Sequence, residues 1–128
     1  MAKRVLSIGL SALLFAMPAP ALPQQAAFSS LDGTLLKAWV FQPKDAAPRG
    51  VVIALHGCGG LYAGSGPRKG QINSRHQAMA ELLTANGYSV VYPDSLTPRG
   101  ETELCTQKMG SRKVSQTERR ADALAALA

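Results

Sequence analysis

The sequence predicts an α/β protein that forms the N-terminal part of a mostly parallel, doubly wound sheet, which remains incomplete within this chain. Residues 51–55 are an unbroken apolar run of strand length, which is typical of a strand covered on both faces. Residues 88–92 are predicted to form a second buried strand, which Pro93 ends. A helical pattern separates the two strands. A strand, a helix and a strand within about 40 residues predict a parallel crossover unit.

The first 21 residues have the pattern of a cleaved secretory signal. Lys3 and Arg4 give a charged start, residues 5–17 form an apolar run, and residues 19–21 are a small-x-small cleavage site. We place the cut after Ala21. The apolar run has 13 residues, whereas a membrane-spanning helix needs about 20. We therefore expect a periplasmic or secreted protein without a stable membrane anchor.

The composition indicates one globular domain, since 46% of the 128 residues are hydrophobic and 17% are charged. Loss of Lys3 and Arg4 with the signal lowers the net charge from +6 to +4. The remaining basic residues are scattered, with few aromatic residues between them, so no nucleic-acid partner is predicted. The sequence shows no internal repeat and no second domain.

The domain begins with a predicted hairpin. Residues 22–33 are predicted to form a linker, over 22–27, followed by the first strand of the hairpin, which turns at an Asp-Gly pair. Residues 34–128 are the N-terminal portion of the predicted α/β domain. They open with the second arm of the hairpin, over 34–41.

A helix is predicted between the two buried strands. Asn73 is a suitable N-cap, and the pair Asn86-Gly87 supplies a left-handed stop. The apolar stripe predicted to face the sheet consists of Ala78, Met79, Leu82 and Leu83.

A second helix is predicted at the end of the chain, after a long loop over residues 93–114. Ser115 and Glu118 have the spacing of a capping box that opens this helix. The chain ends where a crossover helix should lead to the next parallel strand. The helix face predicted to lie on the sheet consists of Ala121, Leu124, Ala125 and Ala128.

A glycine-rich loop directly follows the first buried strand. Backbone N–H groups in such a loop can approach a developing negative oxygen, because glycine has no side chain to block them. This loop resembles the oxyanion-hole loop of α/β-hydrolases. Its residues are His56, Gly57, Cys58, Gly59 and Gly60.

Further short motifs make the resemblance more specific. With the glycine-rich loop, they make residues 34–128 resemble the N-terminal portion of the dienelactone hydrolase family. The resemblance implies an α/β-hydrolase fold with the strand order 1-2-4-3-5-6-7-8. It also implies a Ser or Cys nucleophile on a tight turn after the fifth strand, followed by an acid and a histidine. The motifs are Arg75-His76-Gln77, Pro93-Asp94-Ser95, Pro98-Arg99-Gly100 and Arg119-x-x-Asp122-Ala123.

None of these three catalytic residues can be placed in this chain. No Ser or Cys lies in a G-x-[SC]-x-G pattern, so the nucleophile, acid and base are expected beyond Ala128. The chain is predicted to be the N-terminal part of an exported carboxylic ester or lactone hydrolase. The whole enzyme would act on a small-molecule ester or lactone without a cofactor, and this chain alone is predicted to be inactive. The alternatives are a polyester-depolymerase-like or peptidase-like fragment and a non-catalytic secreted binding module.

The histidines and cysteines are assigned structural roles. His56 is predicted to anchor the glycine-rich loop through hydrogen bonds, and His76 to lie at the surface or pack against a loop. Cys58 and Cys105 lie on adjacent loops of an exported protein, which predicts a disulfide. A zinc site made of these four residues is the alternative. Their spacing matches no structural zinc pattern, so no metal is expected.

Two carboxylates are assigned local structural roles. Asp94 is predicted to cap the turn after its strand, and Asp122 to pair with Arg119 or a neighbouring loop.

In the implied strand order, the strand at residues 51–55 lies beside a fifth strand that this chain lacks. Its edge is apolar and carries neither Pro nor charge, so the chain is expected to self-associate.

Overall fold

The computed structural model describes residues 23–44 and 46–128, so the predicted signal at residues 1–21 and its cleavage site lie outside the described residues. Short 3-10 turns occupy Thr97–Arg99 and Met109–Ser111. The described chain contains four strands and two α-helices. They are β1 (Gln24–Ser29), β2 (Leu35–Phe41), β3 (Gly50–Ile53), α1 (Ser74–Ala85), β4 (Tyr88–Pro93) and α2 (Gln116–Ala125).

The strands form one mixed sheet in the order β1-β2-β4-β3, which is the order that the resemblance implies for the first four strands. β1 and β2 are antiparallel, β2 and β4 are antiparallel, and β3 and β4 are parallel, with Val52 opposite Val90. The predicted α/β class is therefore confirmed. The parallel pair comes from the strand–helix–strand unit, because a crossover helix returns the chain to the same end of the sheet.

The hairpin begins earlier than predicted. β1 starts at Gln24, so the linker predicted for residues 22–27 is wrong over most of its length. Most of the β1 side chains are exposed. An edge strand of this kind can form from polar residues, because backbone pairing with β2 suffices. The turn occurs where it was expected, with Gly33 at a φ of 84° and the Asp32 carboxylate accepting from the Thr34 N–H at 2.9 Å.

β3 differs from the prediction of a strand covered on both faces. It ends at Ile53, and Val51 and Leu55 remain 54% and 42% exposed. Within the described residues β3 lies at the edge of the sheet, since β4 is the only strand that pairs with it. An apolar strand therefore has one unpaired backbone edge.

Helix α1 has the predicted ends but a different buried face. The Asn73 side chain accepts from the Arg75 N–H at 3.0 Å, and Gly87 takes the left-handed conformation at φ 86°. The predicted stripe is wrong in part. Ala80 is fully buried and Leu83 packs against the core, whereas the side chains of Ala78, Met79 and Leu82 are exposed.

Helix α2 opens with the predicted capping box, in which the side chains of Ser115 and Glu118 cap each other's backbone groups. Its predicted apolar face is wrong in part, since Ala121 and Ala125 are half-buried. Leu124 and Ala128 are exposed, while Asp122 is completely buried. A carboxylate can take this place because cationic and hydroxyl donors from other elements surround it. None of the helices among residues 23–44 and 46–128 is long and apolar enough to cross a bilayer.

Buried apolar side chains form two clusters. The larger lies between the sheet, α1 and the segment that follows the glycine-rich loop. The smaller lies within the 93–114 loop. The members of the larger cluster are Phe41, Leu61, Ile72, Ala80, Val90 and Tyr92, and those of the smaller are Leu96, Leu104 and Val114. The second cluster gives the long loop a fixed conformation beside the glycine-rich loop.

Candidate functional site

The loop at residues 56–60 follows β3 at the carboxyl end of the parallel strand pair. Three consecutive backbone carbonyls in it are each held by a donor. The carbonyl of His56 accepts from the Arg119 guanidinium. The carbonyl of Gly57 accepts from the Gly60 N–H at 3.2 Å and lies 2.9 Å from the His56 Nδ1. The carbonyl of Cys58 accepts from the Leu104 N–H at 2.6 Å.

The amide groups of the same peptide units are left for a ligand. In a trans peptide the N–H points away from the carbonyl of the same unit. Within the part of the chain that the structure describes, the N–H groups of Gly57, Cys58 and Gly59 donate to no acceptor. Residues 57–59 are exposed, and a Cβ added at Gly57 or Gly59 would meet no atom within 4 Å, so the space around this part of the loop is open. Unpaired amides beside open space can donate to an anion or to a developing oxyanion.

Gly60 is required for the way this loop packs. Its φ is 80°, and a Cβ there would lie 2.5 Å from the carbonyl oxygen of Thr102. Both the backbone conformation and the close approach exclude a side chain. The loop at residues 56–60 is thereby pressed against the long loop after β4.

A disulfide joins the same two loops. The structure links Cys58 to Cys105, which is the pair predicted from the sequence. The alternative zinc site is wrong, because bridged cysteines carry no thiolate to ligate a metal. No group of three or more His, Cys, Asp or Glu side chains in the described ranges could hold a metal ion.

His56 lies beneath the loop and not in front of it. Its side chain is 1% exposed, and its Nε2 accepts from the Ser95 N–H at 3.4 Å. This bond leaves the proton on Nδ1, which donates to the Gly57 carbonyl. Burial lowers the pKa of His56 below its usual 6.5, so the ring is neutral at neutral pH. His56 therefore anchors the loop through both ring nitrogens.

The buried neutral His56 should make stability depend on pH. Because the unfolded chain binds the proton at about pH 6.5 and the folded chain resists it, folding should weaken as pH falls below 6.5. The slope should approach about 1.4 kcal/mol per pH unit until the lower folded pKa is reached. Urea unfolding followed by the fluorescence of Trp39, the one tryptophan, measures this.

The matched variants are His56→Gln and His76→Gln. The first should remove the slope between pH 6.5 and 5, and the second should keep it. An unchanged slope in His56→Gln would contradict the assignment.

His76 supports the loop from α1. It is half-buried, its ring centroid lies 5.3 Å from that of Tyr92, and its Nε2 lies 3.4 Å from the Gly60 carbonyl. This is the loop-packing role predicted from the sequence. Both histidines thus contact loop backbone, and neither side chain faces the open side of the loop.

A charged network behind the site was not predicted. The two carboxylate oxygens of Asp122 accept from Arg99 at 2.8 and 2.9 Å, and one of them accepts from Ser30 at 2.6 Å. Arg99 also bonds Asp32 at 2.7 Å. Burial alone would raise the pKa of Asp122, but the hydrogen bonds from Arg99 and Ser30 outweigh it and hold that pKa below its usual value.

Asp94 has its predicted partners, and Asp122 has one of the two predicted for it. Asp94 caps its turn as expected, since its Oδ1 accepts from the N–H groups of Leu96 and Thr97. For Asp122, the predicted pairing with a neighbouring loop is right and the pairing with Arg119 is wrong. The spacing i, i+3 places Arg119 and Asp122 on one face of α2. This spacing was the only sequence signal for their partners. It cannot show that Arg119 bonds the glycine-rich loop whereas Asp122 bonds Arg99 and Ser30.

No protein family and no curated protein matches the chain by sequence. Among solved structures, the chain is similar to brefeldin A esterase, a bacterial homologue of human hormone-sensitive lipase. The TM-score is 0.55 and the sequence identity 19%, over 94% of this chain and 29% of the esterase. The chain thus spans less than a third of that protein, and at this identity the likeness concerns the fold. With the strand order β1-β2-β4-β3, it shows that the chain carries part of an α/β-hydrolase fold.

Proposed function

We propose that this chain is the N-terminal part of an exported, dienelactone-hydrolase-like enzyme that cleaves carboxylic esters or lactones. The observation that carries the proposal is the loop at residues 56–60, whose carbonyls are held and whose amides face open space. The disulfide between Cys58 and Cys105 fits an oxidising compartment, as expected for a periplasmic or secreted protein. The substrate would be a small-molecule ester or lactone.

The chemical role of the loop follows from the charge that acyl transfer creates. When a nucleophile attacks an ester carbonyl, the carbonyl oxygen gains negative charge. The amides of Gly57, Cys58 and Gly59 can donate to it without reorganising, because other bonds already fix their peptide units. Each such donor is worth about 10²- to 10³-fold in rate. His56 below the loop is neutral, and it supports these peptide units without gaining or losing a proton.

We place the nucleophile, acid and base beyond Ala128. Cys58 is held in the disulfide and Ser95 is completely buried, so neither can attack a substrate. Both His56 and His76 bond loop backbone, which leaves them unsuited to act as the base. This chain by itself is therefore proposed to be inactive.

The unpaired edge of β3 would receive the fifth strand of the sheet. Val51 on β3 and Leu55 just after it are exposed, and an apolar strand with unpaired backbone groups invites pairing with any available strand. We propose that the chain ending at Ala128 self-associates through this edge. Pairing with the fifth strand in the same polypeptide would suppress that association.

The test compares this chain with the full-length polypeptide, meaning everything that its reading frame encodes. The full-length polypeptide should contain a further strand followed by G-x-S-x-G or G-x-C-x-G and should hydrolyse a p-nitrophenyl ester. Replacing that Ser or Cys by Ala should abolish turnover. This chain alone should show no turnover and should sediment as oligomers.

Two results would overturn the proposal. One is turnover by this chain that is lost when one of its own side chains is replaced. The other is a reading frame that ends without a nucleophile motif, which would favour the binding module. Turnover of polyester films or peptides in preference to small esters would instead identify a depolymerase or a peptidase.

A further inference from the structure

Arg119 occupies an unfavourable place for a cation. It lies near the start of α2, where the helix dipole disfavours positive charge. The guanidinium is half-buried, and that burial lowers the pKa of Arg119. Its Nε is fully buried and has no hydrogen-bond partner among the described residues. The charge of Asp122 offsets this burial only in part, because the carboxylate oxygens bond Arg99 and Ser30 and not Arg119.

The one hydrogen bond that the Arg119 side chain makes among the described residues is at the site. Its guanidinium donates to the backbone carbonyl of His56, which is 63 residues away in sequence. That carbonyl belongs to the same planar peptide unit as the N–H of Gly57. Fixing the carbonyl direction therefore fixes the opposite direction of the Gly57 N–H. A hydrophobic residue of similar size could fill the same space without the desolvation cost, but it could not hold this peptide unit.

We propose that Arg119 is the positioning residue of the glycine-rich loop: it holds the His56–Gly57 peptide unit so that the Gly57 N–H points towards the reacting carbonyl. The role of the Gly57 N–H in catalysis rests on the proposed function, whereas its orientation by Arg119 does not. The other two peptide units of the loop are held by Leu104 and by the His56 ring. Arg119 is therefore the link between α2 and the first donor of the loop.

The structural test uses ¹⁵N-glycine labelling of the full-length polypeptide and NMR relaxation. In the parent, Gly57 should be rigid, with an order parameter of about 0.85. In Arg119→Met, which fills the space without a donor, it should fall below about 0.6 and the Gly57 resonance should shift. Arg119→Lys should restore part of the rigidity. The neighbouring exposed residue gives the control, since Arg120→Ala should leave Gly57 unchanged.

Gly33 and Gly87 report on the fold, because both lie in turns outside the glycine-rich loop. Their resonances should not move in any of these variants. The proposal would be overturned if Gly57 in Arg119→Met kept the order parameter and the chemical shift that it has in the parent. General unfolding of both the Met and the Lys variants would also overturn it, since the residue would then serve the fold as a whole.

A kinetic test separates this proposal from the proposed function. If the full-length polypeptide is an esterase, Arg119→Met should lower kcat about 10- to 100-fold with little change in KM, because a misdirected donor weakens binding to the transition state only. A loss confined to KM would contradict the positioning role. If Gly57 loses order but no ester is hydrolysed by the parent, the proposed function fails and the positioning role stands.

Discussion

Replacing Asp122 with Ala should lower the free energy of unfolding by about 3 to 5 kcal/mol. The carboxylate is completely buried, and its removal leaves the Arg99 guanidinium, which is only 11% exposed, without its main partner. The network also joins the β1–β2 turn, through Ser30, to α2. Because whole domains are stable by about 5 to 15 kcal/mol, this loss should remove a large share of the free energy of unfolding.

Urea unfolding followed by Trp39 fluorescence at high dilution measures the effect. Arg99→Ala should be similarly harmful, and the double variant should be far less unstable than the sum of the two single variants, since they share one interaction. Asp32→Asn is the matched control, because Asp32 bonds the same guanidinium from the exposed end of the network. An unfolding midpoint for Asp122→Ala equal to that of Asp32→Asn would refute this account.

Removing the disulfide is expected to have the second largest effect. The bond closes a loop between residues 47 positions apart, and the chain-entropy relation assigns such a loop about 3 to 4 kcal/mol. The double variant Cys58→Ser with Cys105→Ser should be less stable than the parent by that amount. The loss should also loosen the contact between Gly60 and Thr102, since the bridge presses the same two loops together.

The measurement is the urea midpoint with and without a reducing agent. The parent should lose stability when reduced, whereas the double variant should be insensitive to the reductant. Thiol titration supplies an independent check on unreduced parent protein prepared from the periplasm. Two reactive thiols there would show that the bridge does not form.

Local patterns in the sequence identified most of the elements and the loop of the candidate site. Apolar runs, the Asn73 cap, the capping box at Ser115 and the glycine-rich loop each depend on a few neighbouring residues, so a short window contains the whole signal. The cysteine pair could be predicted because both residues follow the ends of adjacent parallel strands.

The faces of the two helices could not be predicted in the same way. Helix α1 carries apolar side chains around its circumference, so periodicity does not select Ala80 and Leu83 over Met79 and Leu82. In α2, Asp122 has the polarity of a surface residue. It is buried because Arg99 arrives from a loop 23 residues earlier, and this depends on the tertiary fold.

The disulfide also bears on how quickly the sheet assembles. Ile53 and Val91 are partners in the parallel pairing of β3 and β4, and the whole of α1 lies between them along the chain. Once Cys58 and Cys105 are joined, the contour between these partners through the bridge is about half as long as the contour through α1. Folding accelerates as the separation of contacting residues shrinks. Oxidation early after export would therefore make the parallel pairing of β3 with β4 a more local event.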